Sequence, residues 1–230
     1  IPVITTADVP EAWEVIARTA RKCEAPLTTV TRDQTRQPPL STLELPLRGE
    51  HQRLNAALAL ATVQLLQDQI AVSPGAIRQG LESVSWPGRL QLEKTVSGQS
   101  VLLDGAHNPA GAGVLRAALR AGFPQAAPSI VLGILRDKDW VTMCHILAPL
   151  GQRLLLVPVH STRTTTPEEM RDVCREANPR AEMLVCDSLS QALQRTAGRD
   201  ALLGVSRFSS PAAAELGRTA SAPIRFATRT

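Results

Sequence analysis

A length of 230 residues suits one large domain or two small ones with a proper core, and 43% hydrophobic against 20% charged residues is an ordinary globular balance. The net charge is only +4, the arginines are scattered without interleaved aromatics, and lysine occurs only at Lys22, Lys94 and Lys138, so no nucleic-acid partner is expected. No apolar run approaches the roughly 20 residues of a membrane span, and four dispersed cysteines without a CxxC pair argue against zinc or a disulfide framework and for a reducing cytoplasm.

The opening Ile1-Pro2-Val3-Ile4-Thr5-Thr6 has neither an initiator Met nor a signal-peptide layout, so the expectation is a piece from the middle of a longer protein. Residues 1–5 read as a strand and 8–20 as a helix, with Asp8 as N-cap and Pro10 in the first turn. A strand over 27–31, a polar loop over 33–39 and a strand over 43–47 follow. A helix is expected over 52–67 with an apolar stripe of Leu54, Leu58, Ala61, Leu65 and Leu66. Ser73 caps another helix, whose Ile77, Leu81 and Val84 face inward and which Trp86-Pro87-Gly88-Arg89 ends.

Turn signals place a domain boundary between Pro87 and Ser100, around a short strand over 90–96. Beyond it strands over 100–103, 129–135, 153–157, 182–186 and 201–205 alternate with helices over 109–121, 138–147, 167–177 and 189–196. That alternation predicts an α/β domain, a mainly parallel sheet with helices on both faces. The tail after Phe208 fits this pattern poorly.

The candidate site residues cluster where strands run into helices. Val101-Leu102-Leu103-Asp104-Gly105-Ala106-His107-Asn108-Pro109 reads as strand, polar loop, helix, the arrangement at which open α/β sheets bind ligands. Asp104 could accept from a ribose hydroxyl and His107 could meet an anion; the plainer reading is that Asp104 and Asn108 cap the helix. Asn55 interrupts an apolar helix among small residues, where a purine edge could pack; alone, it is better read as solvent-facing or bonded within the core. Arg89 beside a rigid Pro-Gly turn could clamp phosphate bidentately, or be an ordinary surface Arg. Asp137 is read as a helix N-cap, Arg163 as a carboxylate contact or a solvated loop residue, and Trp13, Trp86 and Trp140 as packing residues. There is no GxxxxGK[ST] loop, GxSxG elbow, GxGxxG fingerprint or metal-ligand cluster.

Five segments together carry a resemblance: Ile1-Pro2-Val3-Ile4-Thr5, Leu47-Arg48-Gly49-Glu50-His51-Gln52-Arg53-Leu54-Asn55-Ala56-Ala57, Trp86-Pro87-Gly88-Arg89, Leu103-Asp104-Gly105-Ala106-His107-Asn108-Pro109 and Leu132-Gly133-Ile134-Leu135-Arg136-Asp137-Lys138-Asp139. In order and separation they resemble the back half of the folylpolyglutamate synthase and dihydrofolate synthase family, within the Mur ligases. The resemblance implies the tail of a central ATPase domain over 1–90 and a Rossmann-like C-terminal domain over 91–230. It implies an ATP-dependent amide ligase that adds L-glutamate to folate or dihydropteroate through an acyl phosphate, and it suggests a cytoplasmic monomer. On that resemblance Asn55, Arg89 and Asp104 contact ATP, His107 lies near the γ-phosphate or the incoming glutamate, and Arg163 contacts substrate.

The family's phosphate loop, its Mg2+ ligands and most of its pterin site are expected in an N-terminal part outside these residues, so the chain alone is expected not to complete the reaction. The other departure is Arg207-Phe208-Ser209-Ser210-Pro211-Ala212, where the family has Gly-Ser-Leu; permitted codons read one nucleotide later spell Gly-Ser-Leu-His-Leu-Leu, and a frameshift near Ser206 would account for 207–230. The competing readings are a peptidoglycan Mur-type ligase and a non-catalytic nucleotide- or anion-binding fragment. Gly49-Glu50-His51-Gln52 and the Asp104–Pro109 stretch fit the folate branch better.

Overall fold

The computed structural model describes residues 1–95 and 98–196, and the backbone alone of 201–205. The tail over 207–230, and with it the frameshift expectation, lies outside the described residues. The chain forms two compact units, Ile1–Trp86 and a second beginning at Pro87.

In the first unit β1 (Val3–Thr5) and β2 (Leu27–Thr29) pair in parallel, joined by α1 (Pro10–Lys22). The expected cap Asp8 does not cap α1; Val9 takes that position without a side-chain bond. Proline forces the residue before it out of the helical region, so the helix boundary falls at Val9 (φ −82°, ψ 120°). Asp8 instead pairs with Arg32 at 3.4 Å. The expected loop after β2 contains 3-10 turns at Arg32–Arg36 and Leu40–Thr42, and the expected strand over 43–47 does not form. Pro46 can donate nothing to a ladder there. The chain is held instead by side chains: the Arg53 guanidinium donates to the carbonyls of Thr35 and Leu40.

Gly49, at φ 96°, makes the left-handed turn into α2 (Glu50–Leu65). Its buried face is Gln52, Ala56, Ala57 and Leu60, packed with Val30, Leu40 and Leu43, while Leu54, Leu58 and Ala61 flank that core. Leu65 is exposed, so the expected stripe is rotated. The alanines let the helix approach closely, and side-chain size alone misplaces such a face. The last helix of the unit, α3 (Pro74–Glu82), is capped as expected by Ser73, whose Oγ accepts the Ala76 N–H at 3.2 Å.

The second unit is built on one six-stranded sheet. Its strands are β3 (Gln91–Lys94), β4 (Ser100–Asp104), β5 (Ser129–Gly133), β6 (Arg153–Leu156), β7 (Glu182–Val185) and β8 (Ala201–Val205), in the spatial order β3-β4-β8-β5-β6-β7. All neighbours are parallel except β3, which forms an antiparallel edge on β4. The helices are α4 (Pro109–Gly122), α5 (Trp140–Leu147), α6 (Pro167–Ala177) and α7 (Leu189–Arg195).

Strand residues alternate between two apolar layers, as a sheet buried on both faces requires. Leu102, Ile130, Leu132, Leu154 and Leu156 pack with Leu115, Met143, Leu147 and Met170 of α4–α6. Val101, Leu103, Val131 and Leu155 face the other way, with Ala192 of α7. Helices on both faces of a mainly parallel sheet agree with the expected α/β architecture. Trp140 is partly buried in the first layer, whereas Trp86 is 63% exposed and is not the packing residue expected. Cys144 and Cys174 are fully buried in that layer; the hydrogen bond with Cys174, then burial, pushes the Cys144 thiol far above its ordinary range. Thiols of this kind are inert.

Gly151 marks a close approach. A Cβ there would lie 2.9 Å from Ile130 Cγ1 and Cδ1 and 3.1 Å from the Arg153 carbonyl. Gly151→Ala is expected to destabilise the second unit by about 1–3 kcal/mol, read from urea unfolding. No described helix is long and apolar enough to cross a membrane.

Candidate functional site

Register sets the site. Asp104 pairs with Gly204, Gly204 with Leu132, Leu132 with Leu156 and Leu156 with Val185, so the parallel strands end in one row. The loops after β4, β5 and β6 therefore leave the sheet on one edge. Because β3 is antiparallel and Gln91 pairs with Leu103, the turn that precedes β3 lies at this edge too. Arg89, Asp104, His107 and Arg163 are thus gathered at the carboxyl edge, where open α/β sheets bind ligands. Asn55 belongs to the first unit, on α2.

Asp104 is 7% exposed, and its carboxylate holds two backbone donors. Oδ2 accepts the Leu90 N–H at 3.0 Å and Oδ1 accepts the Ala106 N–H at 2.9 Å. The Gly105 N–H donates to the Gly88 carbonyl at 2.8 Å. Together these bonds fasten the Pro87-Gly88-Arg89-Leu90 turn to the β4–α4 loop. The turn itself is unusual: Gly88 has φ 75°, and Leu90, a non-glycine residue, has φ 45°. A left-handed leucine costs about 1–3 kcal/mol and persists only where its surroundings impose it. Here its side chain is 4% exposed and its N–H is fixed by a carboxylate. Between these two pinned residues, Arg89 is exposed.

The following loop enters α4 as its sequence dictates. Asn108 is the N-cap, its Oδ1 accepting the Gly111 N–H at 2.7 Å, and Pro109 occupies the first turn. His107 is exposed, and its Nδ1 lies 3.0 Å from the Gly105 carbonyl. A carbonyl can only accept, so the proton sits on Nδ1 and Nε2 is the basic nitrogen.

Farther along the edge, Arg163 donates through Nη1 to Asp137 Oδ2 at 2.7 Å, joining the loops after β5 and β6. Asp137 is not the cap of α5, as the sequence suggested; Asp139 is, its Oδ1 accepting the Thr142 N–H at 3.2 Å. Arg136 makes a two-pronged pair with Glu169, at 3.0 and 2.7 Å. The Arg136 hydrogen bonds first, then those from Thr166, lower the Glu169 carboxyl to about 2. A depressed carboxyl contributes stability above the ordinary carboxylate range and loses it as pH falls through the folded value. Glu169 should therefore titrate near pH 2 by carbon-detected NMR, and Arg136→Ala should return its midpoint toward 4.5. A midpoint near 4.5 in the unaltered chain would contradict the pair. Among the described residues no group of three or more His, Cys, Asp or Glu is arranged to hold a metal ion.

Comparison with known proteins joins this geometry to a family. Residues 88–204, about half of the chain and nearly all of the described second unit, match the family described as Mur ligase, glutamate ligase domain. The chain belongs to that family. It is 39% identical over 131 residues to the folylpolyglutamate synthase of Lacticaseibacillus casei, a match covering 56% of this chain and 30% of that protein. It is 28% identical over 197 residues to the dihydrofolate synthase/folylpolyglutamate synthase of Bacillus subtilis, covering 77% and 45%. Among solved structures, Mycobacterium tuberculosis folylpolyglutamate synthase complexed with ADP superposes with a TM-score of 0.78 at 24% identity, over 96% of this chain and 55% of that one. Escherichia coli FolC in complex with DHPP and ADP gives 0.71 at 26% identity, over 90% and 50%. The chain spans about half the length, or less, of these relatives.

In this Mur ligase chain, Asn55 is exposed near the start of α2, where its Nδ2 donates to Gln52 Oε1 at 3.1 Å. Gln52 is buried, and its Nε2 lies 3.0 Å from His51 Nε2, so the Asn55 amide is oriented from below. Sequence reasoning missed the Arg136–Glu169 pair and also Gln91, whose Oε1 accepts the Gly88 N–H at 2.8 Å. The available signal was the pair of polar residues Gln91 and Glu93, two apart and so on one face of an edge strand.

Proposed function

We propose that this chain is the glutamate-accepting portion of an ATP-dependent ligase that joins L-glutamate to the carboxylate of a folate or of dihydropteroate. The match of residues 88–204 to a glutamate ligase domain carries the reading. The exposed Arg89 on a pinned turn gives that domain a group suited to phosphate. The complete reaction is proposed for the chain joined to the portion that its relatives carry beyond the match, acting as a monomer in the cytoplasm.

In the reaction the pterin-bearing carboxylate attacks the γ-phosphorus of ATP and ADP leaves. The glutamate amine then attacks the acyl carbon, gives up a proton, and phosphate leaves. Such chemistry depends on neutralising charge and positioning reactants more than on a protein nucleophile. Arg89 contributes a planar cation whose fork matches phosphate oxygens. Asn55 offers an oriented amide to the purine. Asp104 belongs to the nucleotide group through the turn it holds. His107, with Nδ1 committed to Gly105, has Nε2 available to take the proton from the glutamate ammonium. Arg163 would receive the glutamate side-chain carboxylate by exchanging Asp137 for it. ATP supplies the phosphoryl group and arrives with Mg2+, whose protein ligands are proposed in the portion that the relatives carry beyond the match.

Calorimetry with ADP, L-glutamate and dihydropteroate, each added separately to the 230-residue chain, tests the reading. ADP heat that disappears in Arg89→Ala, and glutamate heat that disappears in Arg163→Ala, are expected. Saturating ADP heat unchanged by Arg89→Ala would contradict it.

A further inference from the structure

We infer that Gln91, held in orientation by Glu93, is a positioning residue for Arg89. The inference rests on the reading of Arg89 as a phosphate contact and adds a residue to it. Gln91 Oε1 accepts the Gly88 N–H at 2.8 Å, while its Nε2 donates to Glu93 Oε1 at 2.8 Å. The second bond matters because an amide is ambiguous: turned over, it would present NH2 to the Gly88 N–H and repel it. A carboxylate can only accept, so Glu93 draws the NH2 toward itself and leaves the oxygen for Gly88.

The residues on either side of Arg89 are thereby fixed from different sources. Gly88 is buried and bonded at both ends, its N–H to Gln91 and its carbonyl from Gly105. Leu90 is bonded to Asp104. Both residues have positive φ, 75° at Gly88 and 45° at Leu90; glycine takes such a conformation without penalty, whereas the leucine would not hold it in a free turn. A phosphate-binding Arg gains from such a mounting because its backbone need not be ordered when ligand arrives. Two polar residues on an edge strand that would otherwise read as solvated surface thus serve the site.

The test compares Gln91→Ala, Arg89→Ala, their double variant, and the swap Gln91→Glu/Glu93→Gln in the full chain. Amide hydrogen exchange and binding of inorganic tripolyphosphate are read for each. Gln91→Ala should speed exchange at Gly88 by about fivefold to tenfold while leaving Leu132 and Leu156 protected. It should weaken tripolyphosphate binding about fivefold, with little further loss when Arg89 is already alanine. The swap keeps an acceptor for Gly88 and only reverses the donor between positions 91 and 93, so it should restore both readouts. Unchanged Gly88 exchange in Gln91→Ala overturns the latch. Faster exchange with undiminished binding, or a loss of binding that simply adds to that of Arg89→Ala, overturns the positioning role. Failure of Arg89→Ala to weaken binding, or an unaltered chain that binds no tripolyphosphate, removes the phosphate reading beneath it, and the exchange data still judge the latch.

Discussion

Asp104→Ala is expected to destabilise the second unit by about 3 kcal/mol, the largest loss from any single polar substitution at the sheet edge. The wild-type carboxylate accepts from Leu90 and Ala106, residues 4% and 7% exposed. Removing it strands two buried donors, and hydrogen bonds to a charged acceptor contribute about 1.5–3 kcal/mol each. The strain of a left-handed Leu90 then has less to oppose it, so the turn should relax as well. For a chain of this size the unfolding midpoint should fall by roughly 6–12 °C. Asp104→Asn keeps one acceptor but presents NH2 to the other N–H, so it should fall between the two. Differential scanning calorimetry of the three proteins reads the series. Equal midpoints for Asp104→Ala and the unaltered chain would show that the carboxylate braces nothing.

Arg89→Ala is expected to behave oppositely, with a large effect on nucleotide and almost none on stability. Arg89 is exposed, and the bonds that hold its turn come from Gln91, Gly105 and Asp104, not from its own side chain. Stability should therefore stay within about 0.5 kcal/mol. Losing a bidentate cation from a phosphate should weaken ADP binding by about tenfold to a hundredfold. Arg89→Lys should recover little of this, because a point charge does not reproduce the guanidinium fork. Equilibrium binding of ADP, with unfolding of the same samples as control, separates an effect on ligand from one on folding.

Strong local rules made much of the second unit legible. Strands with apolar residues on both faces, Pro109 and Pro167 at helix starts, and the Asn108 cap each act within a few residues. The first unit was harder because its second half is held from a distance. No local pattern around residues 35–47 shows that Arg53 will hold the Thr35 and Leu40 carbonyls, so a strand was expected over 43–47 where none forms, and 3-10 turns form in the stretch before it. Asp8 and Asp137 were both read as caps, and both instead face an Arg from another loop, Arg32 and Arg163. Side-chain competition of this kind depends on tertiary placement.

At the site, the residue types were legible and their division of labour was not. Arg89, Asp104, His107 and Arg163 do lie on one edge, but a sequence treats Asp104 and Arg89 as equivalent polar candidates. Burial distinguishes them: the buried carboxylate holds backbone, and the exposed guanidinium is carried by what it holds. Gln91 was passed over because a polar residue on an edge strand is ordinarily solvated.

The most direct measurement of the central claim is a ligation assay on a chimera. The region of the Bacillus subtilis dihydrofolate synthase/folylpolyglutamate synthase that aligns with this chain would be replaced by it, and transfer of labelled L-glutamate to dihydropteroate or a reduced folate followed with ATP and Mg2+. Glutamate transfer that requires ATP, and that falls about a hundredfold on Arg89→Ala in the chimera, is the predicted result. A folded chimera that binds ADP as the parent does yet transfers no glutamate, or transfers it equally well without Arg89, would contradict the account.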